Sequence, residues 1–380
     1  MKRLFRNVLL LCAAIFISFS AGAAPKNPPA KNELVFVASK NKGIYSGRFD
    51  LETRTISSFG IAATGLKNSS FLAADPAGRF LYVAGEGNVG AVTAFAIGRT
   101  NGHLYLLNTQ SSRGAGPAHL AVDHAGKNVL VANYGSGSIA VLPIQKDGSL
   151  GAASAFVQHK GSSINPQRQA GPHAHFITTD PADHFAFVCD LGLDHVVTYK
   201  FNSAKGSLTP NDPPFASLKP GAGPRHLAFH PSGRWAYVIN ELDSTTTAFF
   251  YNAEHGAMSQ LQNISTLPKD FSGKNFPAEI AAHPSGKFIY GSNRGDDSIV
   301  VYEVDPKTGK LALVEIHPTG GKVPRNFEVD PTGKFLLAAN QDSGNVIVYR
   351  IDPATGKLSP TETTIEVDMP FCVKNILLED

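Results

Sequence analysis

Four charged side chains and a histidine pair break an otherwise neutral pattern. Arg225, Arg325, Arg294, Glu241 and His173/His175 stand at matching places in successive stretches of the 380-residue chain, where the other stretches carry small, apolar or neutral residues. Arginine forks bind a carboxylate or phosphate through two parallel hydrogen bonds. A carboxylate facing a hollow can serve as a general base toward water, and a histidine can pass a proton near neutral pH. Arginine can also stabilise the oxyanion formed at an attacked carbonyl. Gathered in one place, these groups suit an anionic ester or lactone.

Each residue also has a plainer reading. Arg225 and Glu241 could form a structural ion pair, since ion-pair networks gather charged groups too. His119 and His226 occupy a repeated place, which favours a hydrogen-bonding role in the core. In His173-Ala174-His175, strand alternation sets both imidazoles on one face, as a metal pair needs. No third ligand stands at metal spacing, so no metal is expected. Arg325 could be a rim charge, and Asp296, Asp297 and Asp342 read as loop acids that are solvated or turn-forming.

The elements that must position these residues come from a repeat with two rulers. A turn between apolar runs recurs as Asp75-Pro-Ala-Gly78, Asp123-His-Ala-Gly126, Asp180-Pro-Ala-Asp183, His230-Pro-Ser-Gly233, His283-Pro-Ser-Gly286 and Asp330-Pro-Thr-Gly333, at spacings of 48, 57, 50, 53 and 47. Gly-x-Leu/Met recurs at Gly102, Gly148, Gly206, Gly256, Gly309 and Gly356, at spacings of 46, 58, 50, 53 and 47. Two unrelated turn signatures on one beat mark a true repeat. In the best-formed unit, Arg225–Phe229, Arg234–Asn240, Thr246–Tyr251 and Met258–Thr266 read as strands A to D. They are short, β-branched and aromatic, and bounded by Gly, Pro, Asn and Asp. Four antiparallel strands per unit of about 50 residues is the signature of a β-propeller blade.

In such a meander the start of strand A and the end of strand B share a rim. The column after the strand-A proline reads Ala118, His173, Arg225, Ala278 and Arg325. The next holds His119, Glu279, His226 and Asn326, with His175 nearby because the Pro172 unit is longer. The column after strand B reads Tyr134, Leu191, Glu241, Arg294 and Gln341, each preceded by Asn or Asp.

Six units carry both rulers. Leu34–Ala38 and Ile44–Phe49 resemble strands B and C, with Thr55–Ser58 beginning D, and no strand A precedes them. Met369–Ile376 resembles a lone strand A. Joining the ends makes a seventh blade and removes the free sheet edges of an open array. The expectation is one all-β domain, a seven-bladed β-propeller over 33–380 with one blade shared between the termini. A run of separate small β domains would leave the split ends unexplained.

Ahead of it, Lys2, Arg3 and Arg6, the apolar run Val8–Phe19 and Ala21-Gly22-Ala23 read as a signal peptide over 1–23, with a leader over 24–32. The apolar run is too short for a spanning helix, which needs about 20 residues. The formal charge of +3 resides in that segment, so the exported chain is neutral and offers no global attraction for nucleic acid or an anionic membrane. A periplasmic or secreted monomer is expected. Only Cys189 and Cys372 remain after cleavage. They could pair, but buried free thiols are the expectation.

Gly-Pro-His-Ala-His (171–175), Cys-Asp-Leu-Gly-Leu-Asp (189–194), Gly-Pro-Arg-His-Leu (223–227), Val-Ile-Asn-Glu-Leu (238–242) and Ser-Asn-Arg-Gly-Asp-Asp-Ser-Ile (292–299) resemble the seven-bladed propeller lactonase family. That family includes bacterial 6-phosphogluconolactonases and fungal carboxymuconate cyclases, and the resemblance spans about 33–378. It implies a metal-independent lactone hydrolase without a cofactor, and the family's cyclase branch implies a site of a histidine, two arginines and a glutamate. By motif these fall on His175 (or its neighbour His173), Arg225, Glu241 and Arg294. With the columns it implies that Glu241 activates water and that His175 protonates the departing ring oxygen. Arg225 and Arg294 would hold the anionic or oxyanionic group, with His173 and Arg325 as further substrate contacts. Export favours an unphosphorylated aldonolactone or another periplasmic lactone. The alternative is a non-catalytic propeller that binds a ligand or protein partner in the cell envelope.

Overall fold

The computed structural model describes residues 31–66, 68–85 and 89–378; the expected signal peptide and residues 24–30 of the leader lie outside them. Among the described residues the chain folds into seven four-stranded antiparallel sheets and no helix. In the first blade the C-terminal strand Pro370–Leu378 pairs with the N-terminal strand Asn32–Ser39, followed outward by Gly43–Asp50 and Ile56–Ala63. The remaining six blades are each built from four consecutive strands, innermost first. The seven-bladed propeller with its terminus-shared blade is therefore observed. Its first strand begins at Asn32, which pairs with both Asp50 and Leu378, so the last leader residue belongs to the blade.

Blade faces pack on one another, which is why the B strands read as unbroken apolar runs. Trp235–Asn240 and Phe335–Asn340 are buried at every position. Strand alternation sends successive residues to opposite faces, and each face meets a neighbouring blade. Tyr237 and Ile239, for example, pack with Ile280, Ile289 and Val300 of the next blade.

Both rulers have physical explanations. In the turn, Asp75 Oδ1 accepts the backbone N–H groups of Arg79 and Phe80, and Asp180 Oδ1 accepts those of His184 and Phe185. Where histidine replaces aspartate, Nδ1 meets a turn serine and Nε2 of His230 and His283 meets the carbonyl of Gly286 and Gly333 in the following blade. In the Gly-x-Leu/Met ruler, Gly309 has φ of +71°, and a Cβ there would stand 2.5 Å from the Trp235 ring of the preceding blade. Cys189 and Cys372 are buried and free, as expected.

Candidate active site

Strand A of six blades carries an irregularity at its second position. Pairing jumps from Pro117 to His119, from Ala174 to Phe176, from Pro224 to His226 and from Pro324 to Asn326. The skipped residues are Ala118, His175, Arg225 and Arg325. Such a bulge re-aims a side chain and ends regular pairing. Here it turns one residue per blade toward the mouth of the central channel.

The end of strand B is held from the other side. The Glu241 N–H donates to the Gly223 carbonyl at 2.7 Å, and the Tyr134 N–H to that of Gly116 at 2.9 Å. The asparagine just before each of these columns is locked: Asn293 Nδ2, preceding Arg294, donates to the Thr266 carbonyl at 2.8 Å.

A pocket of about 290 Å³ opens on this rim, lined by Tyr134, Arg168, His175, Glu241, Arg294 and Arg325 among others. Four of the expected site residues thus meet there. The other two do not. Arg225 lies beneath the pocket, 2% exposed, with Nε donating to Glu241 Oε2 at 3.1 Å and Nη1 to the Ala278 carbonyl at 2.6 Å. It is spent on fixing the glutamate rather than open to a substrate. His173 precedes the strand, stacks on the Tyr134 ring at 4.6 Å and bonds the Tyr134 carbonyl through Nδ1 at 3.0 Å. It positions Tyr134, and His175 takes the place beside Arg225 and Arg325 that column reading had given to His173. The extra residues between Pro172 and the strand shift the column by two.

Glu241 is gripped by three guanidinium groups. Oε1 accepts from Arg168 Nη2 at 2.5 Å, and Oε2 from Arg225 Nε and from Arg294 Nη2 at 2.8 Å. Burial alone would raise its carboxyl, but Arg294, Arg225 and Arg168 outweigh burial and hold it down at about 2. A carboxylate so stabilised is a weak proton acceptor, which sets Glu241 apart from the water-activating role expected of it. Burial, followed by the Arg294 charge, lowers Arg225 to about 9, still cationic at neutral pH.

His175 is the contrasting group. Burial foremost, then Arg225 and His226, pushes its imidazole well below its ordinary value, so it is neutral at pH 7. Its Nδ1 is buried without a hydrogen-bond partner. A neutral imidazole lining a cationic pocket is a candidate proton acceptor. Arriving anions would offset the arginine charges that depress its basicity.

Below it, His226 Nδ1 meets Glu279 Oε1 at 2.8 Å, and Asn326 Nδ2 donates to Glu279 Oε2 at 2.5 Å. His119 accepts the Ile177 N–H and packs between Phe71 and Phe176. These two histidines have the core role expected of their column. Among the described residues, no cluster of three metal-ligating side chains occurs.

Arg168 escaped the sequence reading because it has no counterpart in any blade. It sits in the long connection after the short strand Ala155–Gln158. The one visible signal was the wider spacing of both rulers across this unit, 57 and 58 residues.

The family model described as Lactonase, 7-bladed beta-propeller, matches residues 34–375. The chain is 38% identical over 288 residues to the 6-phosphogluconolactonase of Bacillus subtilis (strain 168), spanning 76% of this chain and 81% of that protein. It is 36% identical over 266 residues to the 6-phosphogluconolactonase of Formosa agariphila, spanning 68% and 74%. The structure of the periplasmic gluconolactonase of Pseudomonas aeruginosa superimposes with a TM-score of 0.85 at 31% identity, covering 92% of this chain and 100% of that one.

Proposed function

The chain belongs to the seven-bladed β-propeller lactonase family, and we propose that it is a metal-independent hydrolase of an aldonolactone or related anionic lactone. The observation that carries this reading is His175, a neutral imidazole lining the same pocket as Arg168, Arg294 and Arg325. His175 takes a proton from water as the water oxygen attacks the ring carbonyl. The resulting oxyanion forms beside the guanidinium groups of Arg294 and Arg325, where preorganised positive charge stabilises it. Collapse breaks the ring C–O bond, the imidazolium protonates the departing oxygen, and the hydroxy acid leaves. Glu241 and Arg225 hold the arginines in place and do not exchange protons.

The basic, apolar and small-residue succession over 1–23 supports export to the periplasm or beyond, as does the likeness to a gluconolactonase named as periplasmic. The test uses the mature protein, whose first residue, if Ala24, supports export. It is assayed against a lactone panel with and without a chelator. Turnover that survives chelation is expected. Turnover lost on chelation would move the reading to a metal-dependent lactonase. Ligand binding without any turnover would favour the non-catalytic alternative.

A further inference from the structure

The site holds more positive charge than its own carboxylate neutralises. Glu241 faces Arg168, Arg225 and Arg294, while Arg325 lines the same pocket. The three Glu241 partners differ in depth, with side-chain exposures of 3% for Arg225, 15% for Arg294 and 33% for Arg168. Arg168 is thus the outermost, while His175 is buried. Arg168 alone uses Glu241 Oε1, whereas Oε2 is shared by the other two, so Glu241 keeps two guanidinium partners when Arg168 turns away.

The loop that carries Arg168 is built to hold it. The adjacent Gln169 is fully buried, with Nε2 donating to the Leu191 carbonyl at 2.8 Å and Oε1 accepting the Asn165 N–H at 3.1 Å. Ser163 Oγ donates to Asp194 Oδ2 at 2.5 Å, and the same carboxylate accepts the N–H groups of Gly221 and Gly223 at 2.7 Å. A side chain on so anchored a frame can select a ligand group by geometry. Tyr134, its ring fixed by His173, sets its hydroxyl 3.4 Å from Arg168 Nη2 and closes the same lip.

We propose that Arg168 is a specificity-determining residue, placed at the outer lip to take an anionic phosphate or carboxylate group that the lactone carries away from its carbonyl. The inference rests on the lactonase reading above and extends it to the substrate's remote end. The carbonyl goes to the floor at His175, the charged group outward to Arg168, which trades Glu241 Oε1 for the substrate oxygens. A guanidinium fork suits either anion.

The experiment compares wild type, Arg168→Gln and Arg168→Lys on three lactones: neutral gluconolactone, 6-phosphogluconolactone and glucaro-1,4-lactone, which keeps a free carboxylate at C6. In Arg168→Gln, kcat/KM is expected to fall at least tenfold more for one of the charged lactones than for the neutral one, mainly through KM. Arg168→Lys should recover part of that loss. The lactone showing the excess identifies phosphate or carboxylate as the group read. An equal loss on all three, or no loss, overturns the proposal. Should wild type turn over none of them, the lactonase reading fails, and titration of wild type and Arg168→Gln with inorganic phosphate and with acetate decides Arg168 alone. At least tenfold weaker binding of either anion to the variant supports the proposal. Equal binding, or none to wild type, overturns it.

Discussion

At the scale of single residues the site separates two jobs that look interchangeable in a list of polar side chains. Glu241 is ionised far below its ordinary range and serves as counter-ion to three arginines, whereas His175 is kept neutral by burial and by those arginines. The pH dependence follows from the second group. The proposed mechanism uses the unprotonated imidazole, and burial with the neighbouring arginines holds its protonation below the ordinary 6.5. Activity should therefore stay level as pH falls through 6.5, with the acid limb of kcat/KM appearing only below it. Arg325 is among the charges that depress His175. Arg325→Met should shift the acid limb upward while lowering kcat/KM through the lost anion contact. A pH–rate series on both proteins checks this, and a wild-type limb at or above 6.5 would sink His175 as the depressed base.

At the scale of elements, the blade is a standard part adapted in two places. The bulge at the second residue of strand A and the asparagine lock at the end of strand B recur around the ring, and they turn whatever residue occupies those positions toward the channel mouth. What these positions offer then depends on which blades carry Arg, Glu or His there. The contacts between blades depend on the glycines of the second ruler. Tyr237 Oη donates to the Gly309 carbonyl at 3.0 Å, and Tyr290 Oη to that of Gly356 at 2.9 Å, each reaching into the next blade. Gly309→Ala would press a methyl group onto Trp235 from a left-handed backbone conformation. Overpacking of this kind costs about 1–3 kcal/mol, with backbone strain in addition. A clear fall in Tm is expected, with kcat/KM per folded molecule little changed because the contact lies on the rim away from the site. Thermal melting with active-site titration measures both.

At the scale of the whole molecule, ring closure rests on one strand. Pro370–Leu378 pairs along Asn32–Ser39, and its side chains join the cores of blades on both sides: Cys372 and Ile376 pack with Leu72 and Leu81, and Val373 with Leu337 and Val346. Buried Glu33 Oε2 accepts from Asn375 Nδ2 of that strand at 2.8 Å. Ending the chain before Asp368 would expose the edge of Asn32–Ser39 and open two apolar interfaces at once. Aggregation is expected rather than a modest loss of stability, because an unpaired apolar edge templates further pairing. A monomeric truncation with a cooperative melt by light scattering and calorimetry would show that closure is dispensable.

The ring was legible in the sequence because it is a repeat. Turn residues with special backbone needs, such as the glycine of Asp75-Pro-Ala-Gly78 and Gly309, must recur wherever the blade recurs, so their spacing counts the blades and exposes the split one. The same periodicity places Glu241, Arg294, Arg225 and Arg325 on one rim. What it could not carry is whatever departs from the period or depends on distance in three dimensions. The two-residue offset before Ala174 set His173 in the column that His175 occupies. Arg168 lies in an insertion that no other blade shares. The proposal assigns proton acceptance to His175 rather than Glu241, because a carboxylate's basicity depends on how many guanidinium groups surround it. Arg225 meets Glu241 across one hairpin of a single blade, whereas Arg168 and Arg294 reach it from other parts of the chain that only blade packing brings together.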